Sequence, residues 1–164
     1  METTEEFKKS VKAAQLEFKE EPMDSNYSNL IAGYPSRLRI KKIIKEMGNI
    51  KGKNVLDAGC EAGYVSLKLL ENGAKVTSVD IIEQALEKFR EKLKKTSFQD
   101  VMVINARIQK LPFPKETFDI SLCTETLEHA PDTEKCINEL MRVLKNNGRL
   151  ILTFPNEKNR KPLY

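Results

Sequence analysis

The sequence predicts an α/β fold, a doubly wound and mainly parallel sheet of about five strands with helices on both faces. Short apolar, strand-like runs alternate along the chain with amphipathic helical stripes, which is the pattern of parallel sheets with helical crossovers. Turn residues such as Asn72-Gly73 and Asn147-Gly148 separate the runs. Because crossovers of this kind are right-handed, only doubly wound arrangements remain.

Five apolar runs are predicted as strands, at 54–56, 75–79, 101–104, 118–123 and 149–154. Each is short and rich in Val, Ile, Leu or Phe, as expected of strands buried on both faces. The second run ends directly at Asp80 and the last is stopped by Pro155. In such sheets ligands bind beyond the carboxyl ends of the strands, so the residues that follow each strand are the ones that carry function.

Four helices are predicted, one before the first strand and three between strands. The first has apolar residues at the i, i+3, i+4, i+7 spacing from Ile40 to Met47 and ends at Gly48. The second spans 63–70 and the third carries an apolar stripe over 82–93. The fourth begins at Asp132, which is expected to cap it. Its predicted buried stripe comprises Ile137, Leu140, Met141 and Leu144.

The chain divides into three segments. Residues 1–35 are an N-terminal lid or a partly ordered segment, because 24–35 is rich in Asn, Ser, Gly and Pro. Residues 36–156 form the core domain, and 157–164 form a basic tail. The length of 164 residues suits one domain.

Composition excludes several function classes. No apolar run approaches the roughly 18 residues that a membrane span needs, so no membrane partner is expected. Three cysteines, an odd number, fit reduced thiols and therefore a cytoplasmic location better than a disulfide framework. The net charge of +4 is too small to indicate nucleic-acid binding by itself.

The turn after the first strand points to a nucleoside with a cationic end. It reads Asp57-Ala58-Gly59-Cys60-Glu61-Ala62-Gly63, and its two acids would repel a pyrophosphate. Asp80 follows 23 positions after Asp57, at the end of the next strand, where an acid can accept hydrogen bonds from a ribose diol. The spacing is not G-x-G-x-x-G, which disfavours a nicotinamide-dependent dehydrogenase, the rival with the same fold.

Four stretches in this order resemble the class I S-adenosylmethionine-dependent methyltransferases, in the branch that includes the quinone-biosynthesis enzymes. They are VLDAGCEAGYVSLKLL (55–70), VTSVD (76–80), LPFPKETFDISLCTETLEH (111–129) and ELMRVLKNNGRLILTFPN (139–156). The resemblance covers most of residues 36–156. It implies a Rossmann-like sheet of strand order 3-2-1-4-5 and S-adenosylmethionine as the cofactor.

The resemblance also implies roles for eight residues. Asp57, Gly59 and Gly63 would line the methionine end of the cofactor, and Arg37 would reach its carboxylate. The remaining four residues of the implied site would contact the rest of the cofactor: Asp80 the ribose hydroxyls, Ile81 and the backbone near Ile108 the adenine, and Thr124 the space beneath the sulfonium.

The sequence departs from the family pattern in three places. Glu61 stands where the family usually has a third glycine. Arg107 stands where the family often has an aspartate that accepts from the adenine amino group, which arginine cannot do. The family's last two strands are also missing. We therefore expect either that the chain is a fragment, or that a dimer or a partner chain covers the edge of the fifth strand.

The segment Glu125-x-x-Glu128-His129 has two interpretations. Residues at i, i+3 and i+4 share one face of a helical turn, and two carboxylates with an imidazole could hold a divalent cation. The alternative, which we favour, is that these residues cap the loop and helix after the fourth strand. His129 could also act as a general base, because its ordinary pKa is near neutrality, but a structural role is again favoured.

The resemblance implies methyl transfer to an O, N or C nucleophile of an acceptor, which by analogy is a small molecule such as a quinol precursor. Two other functions stay open. The first is an RNA methyltransferase, divalent-metal-assisted in one form, although no Asn-Pro-Pro-aromatic motif follows the fourth strand. The second is an inactive, cofactor-binding partner subunit, which Arg107 and the missing strands favour.

Overall fold

A computed structural model describes residues 33–98 and 101–154, with side chains from Leu38 onward. The basic tail 157–164, and all but the last three residues of the proposed N-terminal segment 1–35, lie outside these ranges. Within them no helix is long and apolar enough to cross a membrane.

Five strands form one parallel sheet in the order β3-β2-β1-β4-β5, which confirms the predicted fold and strand order. Their bounds are β1 (Asn54–Ala58), β2 (Lys75–Asp80), β3 (Met102–Asn105), β4 (Phe118–Thr124) and β5 (Leu144–Thr153). In the centre of the sheet Asp57 of β1 lies opposite Ser78 of β2 and Leu122 of β4. Strands β2 and β3 lie on one side of β1, whereas β4 and β5 lie on its other side. The switch point of the strand order is therefore between β1 and β4.

In the described part of the chain, four α-helices cover the two faces of the sheet: α1 (Gly33–Met47), α2 (Tyr64–Glu71), α3 (Glu83–Leu93) and α4 (Thr133–Arg142). One apolar cluster joins α1 and α2 to β1, β2 and β4 through residues such as Met47, Leu69 and Val55. The other face packs α4 against the sheet through Leu140 and Leu56. Helices on both faces were predicted, and the consecutive buried residues of β1 and β2 explain why both faces need cover.

The predicted ends of two helices agree with the structure. Gly48 follows α1 with φ of 69°, the left-handed conformation that ends helices, so its role as the stop is confirmed. Asp132 caps α4, because its carboxylate accepts a hydrogen bond of 2.9 Å from the backbone N–H of Lys135.

The boundary between α4 and β5 was predicted wrongly. Helix α4 ends at Arg142, and Leu144 already belongs to β5, five residues before the predicted start of that strand. The predicted turn Asn147-Gly148 lies inside β5, where the register of its pairing with β4 shifts. Met141, placed in the buried stripe by its spacing, is 52% exposed. Cys136 and Leu140 are the residues of α4 that the core buries.

Helix α1 is fastened to β5 at its carboxyl end. The Arg149 guanidinium donates to the carbonyl of Glu46 at 2.9 Å and also to the carbonyl of Met47. These carbonyls have no partner inside the helix, and a cation suits the negative end of the helix dipole. The amino end of α1 consequently points toward the opposite edge of the sheet, where the carboxyl ends of the strands lie.

Candidate functional site

The carboxyl ends of β1, β2 and β4 lie side by side at the switch point of the sheet. Strand β1 ends at Ala58, β2 at Asp80 and β4 at Thr124. The residues that follow them therefore converge on one edge, which is where open α/β sheets bind ligands.

The turn after β1 is held tightly against β2. The backbone N–H groups of Gly59 and Cys60 both donate to the carbonyl of Val79, at 2.8 and 3.1 Å. Three residues in this turn have positive φ, namely Gly59 at 82°, Glu61 at 47° and Gly63 at 76°. Glu61 thus adopts a left-handed backbone, which explains why glycine is usual at this position in the resembled family.

The two glycines are needed for packing between elements. A Cβ on Gly59 would lie 2.3 Å from the Thr126 hydroxyl, in the loop after β4. A Cβ on Gly63 would lie 2.0 Å from the ring of Phe89 on α3. The structure shows that the missing side chains make room for Thr126 and Phe89.

Asp80 is oriented by the backbone on both sides of it. Its two carboxylate oxygens accept from the N–H groups of Glu61 and Ile82, each at 2.9 Å. The side chain is 7% exposed, and burial raises the pKa of Asp80 above its ordinary value while these N–H groups oppose the rise. Asp80 therefore joins the end of β2 to the glycine turn and presents a fixed carboxylate there.

Asp57 is completely buried beneath α2, at the level where β1 ends. Its Oδ2 accepts a 2.5 Å hydrogen bond from the Ser66 hydroxyl, which is also 2.8 Å from the Ser78 hydroxyl. Its Oδ1 has no hydrogen-bond partner among residues 33–98 and 101–154. Ser66 and Ser78 were missed by the sequence analysis, although each is a hydroxyl within an otherwise apolar stripe, which was the available signal.

Burial raises the pKa of Asp57 from 3.8 to about 6. The hydrogen bond from Ser66 opposes this rise, while the nearby charges of Asp80 and Glu61 add to it. The charges of Asp80 and Glu61 are therefore close enough to act on Asp57, which makes this end of the sheet acidic.

This donor set fits S-adenosylmethionine. A negative edge favours a ligand with ammonium and sulfonium charges and disfavours a pyrophosphate. Burying Oδ1 of Asp57 without a hydrogen bond is unfavourable, and a nearby cation would reduce that free-energy cost. Asp80 is an ordered acceptor for ribose hydroxyls at the neighbouring strand end, since each carboxylate oxygen can accept a second hydrogen bond.

The other predicted cofactor residues lie around this edge or outside the described side chains. Ile81 is half-buried directly after β2, and its carbonyl accepts from the Asn105 side chain at 3.2 Å. Thr124 is half-buried at the end of β4. Ile108 is 7% exposed, at the start of a short 3₁₀ turn that packs on the core. The side chain of Arg37 is not among those described.

The segment after β4 forms a short 3₁₀ turn, Leu127–His129. Glu125 forms an ion pair with Arg39 of α1, whereas Glu128 and His129 are exposed. Over residues 33–98 and 101–154, no group of three or more His, Cys, Asp or Glu side chains is arranged to hold a metal ion. Arg39, which was absent from the predicted site, contacts this segment through its ion pair with Glu125.

A family model described as a methyltransferase domain matches residues 56–152. The chain belongs to the class I S-adenosylmethionine-dependent methyltransferases. The ubiquinone biosynthesis O-methyltransferase of Coxiella burnetii is 33% identical over 126 residues, which is 75% of this chain and 52% of that protein. The chain thus spans about half the length of the curated relatives that it matches.

Solved structures agree with this methyltransferase assignment. A protein from Pyrococcus horikoshii OT3 superimposes with a TM-score of 0.70 at 30% identity, covering 80% of this chain and 58% of that one. An S-adenosylmethionine-dependent methyltransferase from Aquifex aeolicus superimposes with a TM-score of 0.61 at 32% identity, covering 68% and 62%. The cofactor of this methyltransferase family is S-adenosylmethionine.

Proposed function

We propose that this methyltransferase chain binds S-adenosylmethionine at the edge formed by β1, β2 and β4 and transfers its methyl group to a nucleophile of a small-molecule acceptor. The observation that carries the proposal is the convergence of Asp57, Glu61 and Asp80, with Oδ1 of the fully buried Asp57 unpartnered within the described part of the chain. When bound, S-adenosylmethionine supplies an electrophilic methyl group. The residues of this chain supply position and charge.

The proposed contacts divide between the strand ends. Asp80, fixed by two backbone N–H groups, accepts from the ribose hydroxyls. Asp57 contributes negative charge toward the ammonium and sulfonium from its buried position, and Glu61 adds to it from the surface. Gly59 and Gly63 keep the turn tight enough to form the wall of the site.

The remaining predicted contacts concern the adenine and the methyl group. Ile81 and the backbone near Ile108 would contact the adenine, and Thr124 would lie beneath the sulfonium. Arg107, half-buried before the 3₁₀ turn, cannot accept from the adenine amino group, so apolar walls would hold the base. Arg37 would reach the methionine carboxylate.

For the acceptor we propose an oxygen nucleophile on a small aromatic molecule, which the similarity to the ubiquinone biosynthesis O-methyltransferase of Coxiella burnetii supports. Three buried free thiols at Cys60, Cys123 and Cys136 support a cytoplasmic location. Strand β5 lies at the edge of the sheet and pairs only with β4 in the described ranges, which supports a dimer or a partner chain as its cover.

Calorimetric titration of the full chain with S-adenosylhomocysteine tests the proposal. Wild-type protein should bind at micromolar concentration, and Asp80→Ala should weaken binding by at least tenfold. Asp119→Ala is the matched control, because Asp119 also accepts from a backbone N–H, at 2.8 Å from Asn54, but lies at the amino end of the sheet. Equal binding by wild type and Asp80→Ala would contradict the proposed site.

A further inference from the structure

The backbone of Glu125 is held in a conformation that a glutamate rarely adopts. It follows β4 directly, with φ of 48°, in the left-handed region. Its N–H donates to the carbonyl of Thr153 at the end of β5, at 3.0 Å. A non-glycine residue stays in this region only where its surroundings fix it, and such positions cluster at functional sites.

Arg39 of α1 is one group that fixes Glu125. Its guanidinium forms an ion pair with the Glu125 carboxylate across the boundary between α1 and the loop after β4. Both side chains are about one-third exposed, at 35% and 34%, so the pair is partly shielded from water. The Nε atom of Arg39 is also buried, with no hydrogen-bond partner among the described residues, so the inner part of the guanidinium is out of contact with water.

The next residue, Thr126, connects this loop to the glycine turn. Three atoms of its side chain occupy the place where a Cβ on Gly59 would be, between 2.3 and 2.8 Å from it. Its hydroxyl donates to the carbonyl of Thr124 at 2.8 Å, which fixes its rotamer. Any movement of Glu125 would therefore also move the Thr126 side chain, which packs the loop against the turn after β1.

We propose that Arg39 and Glu125 are a positioning pair that holds loop 124–129 against the glycine turn, so that the floor of the methyl-transfer site is formed before ligand binds. Its link to cofactor affinity rests on the proposed function. The pair makes α1 part of the site, and it gives Glu125 a role that requires no metal ion.

Hydrogen exchange of the full chain without ligand tests the positioning directly. Arg39→Met should speed exchange of the Glu125 amide and of its neighbours up to residue 129 by about two- to fivefold, the range expected for a partly shielded ion pair. Lys68→Met is the control, because Lys68 forms a comparable ion pair with Glu71 on the surface of α2, at 2.7 Å. Unchanged exchange in folded Arg39→Met protein would overturn the proposal.

A double-mutant cycle with S-adenosylhomocysteine then tests the effect on the site. Arg39→Met and Glu125→Gln should each weaken binding by about three- to tenfold, and the double variant should be no weaker than either alone. If Arg39→Met weakens binding equally in the Glu125→Gln background, Arg39 contacts the ligand itself and the positioning role is refuted. If wild type does not bind, the proposed function fails, while hydrogen exchange still decides whether the pair holds the loop.

Discussion

Replacing Asp57 by asparagine should change how the stability of the protein depends on pH. The ordinary pKa of this carboxyl group is 3.8, and burial raises it to about 6 in the folded protein. The folded state therefore binds the proton more tightly than the unfolded state does. The contribution of Asp57 to the free energy of unfolding is most favourable below pH 3.8 and is lost as the pH rises to about 6.

The size of this effect follows from the two pKa values. The interval from 3.8 to about 6, at about 1.36 kcal/mol for each pH unit, gives about 3 kcal/mol in full. Of this, about 2.5 kcal/mol falls between pH 4 and pH 8. Asparagine carries no charge at any pH. From pH 4 to pH 8, the free energy of unfolding of Asp57→Asn should therefore rise by about 2.5 kcal/mol relative to that of wild type. The altered hydrogen bond from Ser66 adds a cost that is the same at every pH, so it does not change this difference.

Urea unfolding of both proteins at several pH values between 4 and 8 would measure the difference. Asp119→Asn is the control, because the backbone N–H of Asn54 lowers the pKa of Asp119 and the ion pair with Lys145 lowers it further. The contribution of Asp119 to the free energy of unfolding is lost only when the pH falls to 3.8 and below. The difference in free energy of unfolding between Asp119→Asn and wild type should therefore be constant above about pH 5. A flat difference for Asp57→Asn would refute the reasoning, since it would mean that the buried carboxyl is not neutralised near pH 6.

Two further substitutions test the glycine turn. Glu61→Gly should raise the free energy of unfolding by about 0.5–1 kcal/mol, because relief of the left-handed backbone exceeds the entropy cost of glycine. Glu116 also has a positive φ, of 58°, but it lies away from Asp57 and Asp80. Glu116→Gly should therefore raise the free energy of unfolding by a similar amount through relief of the backbone. A loss of stability in both variants would contradict the strain argument. Gly63→Ala should lower the melting temperature strongly, by an amount equivalent to about 2 kcal/mol or more, because its Cβ would overlap the buried ring of Phe89. An unchanged melting temperature for that variant would show that α3 moves aside without cost.

The sheet was predictable from the sequence because each strand carries its own signal. The apolar runs, the turn residues and the acids at the strand ends are local patterns, and the structure places Asp57 and Asp80 at neighbouring strand ends as their positions implied. The start of β5 was not predictable from such patterns. Leu144 continues the helical spacing of α4, and only its pairing with Phe118 of β4 makes it part of a strand.

The contacts that shape the site were not predictable for a related reason. The bond from Ser66 to Asp57 and the ion pair between Arg39 and Glu125 join side chains of different elements. Their formation depends on how helices are rotated on the sheet. A hydroxyl in an apolar stripe signals that a partner exists, but the sequence does not say which one.

The attachment of Arg149 to the end of α1 bears on the order in which the chain folds during synthesis. The two carbonyls that Arg149 satisfies, on Glu46 and Met47, leave the ribosome about a hundred residues before the arginine does. Until then these two carbonyls have only water as a partner, and one side of β4 has no neighbouring strand. Contacts between such distant residues also slow folding, because a long loop must close before they form. A nascent chain halted before residue 149 should therefore remain open to proteases at α1, and it should become protected only after the last strand has emerged.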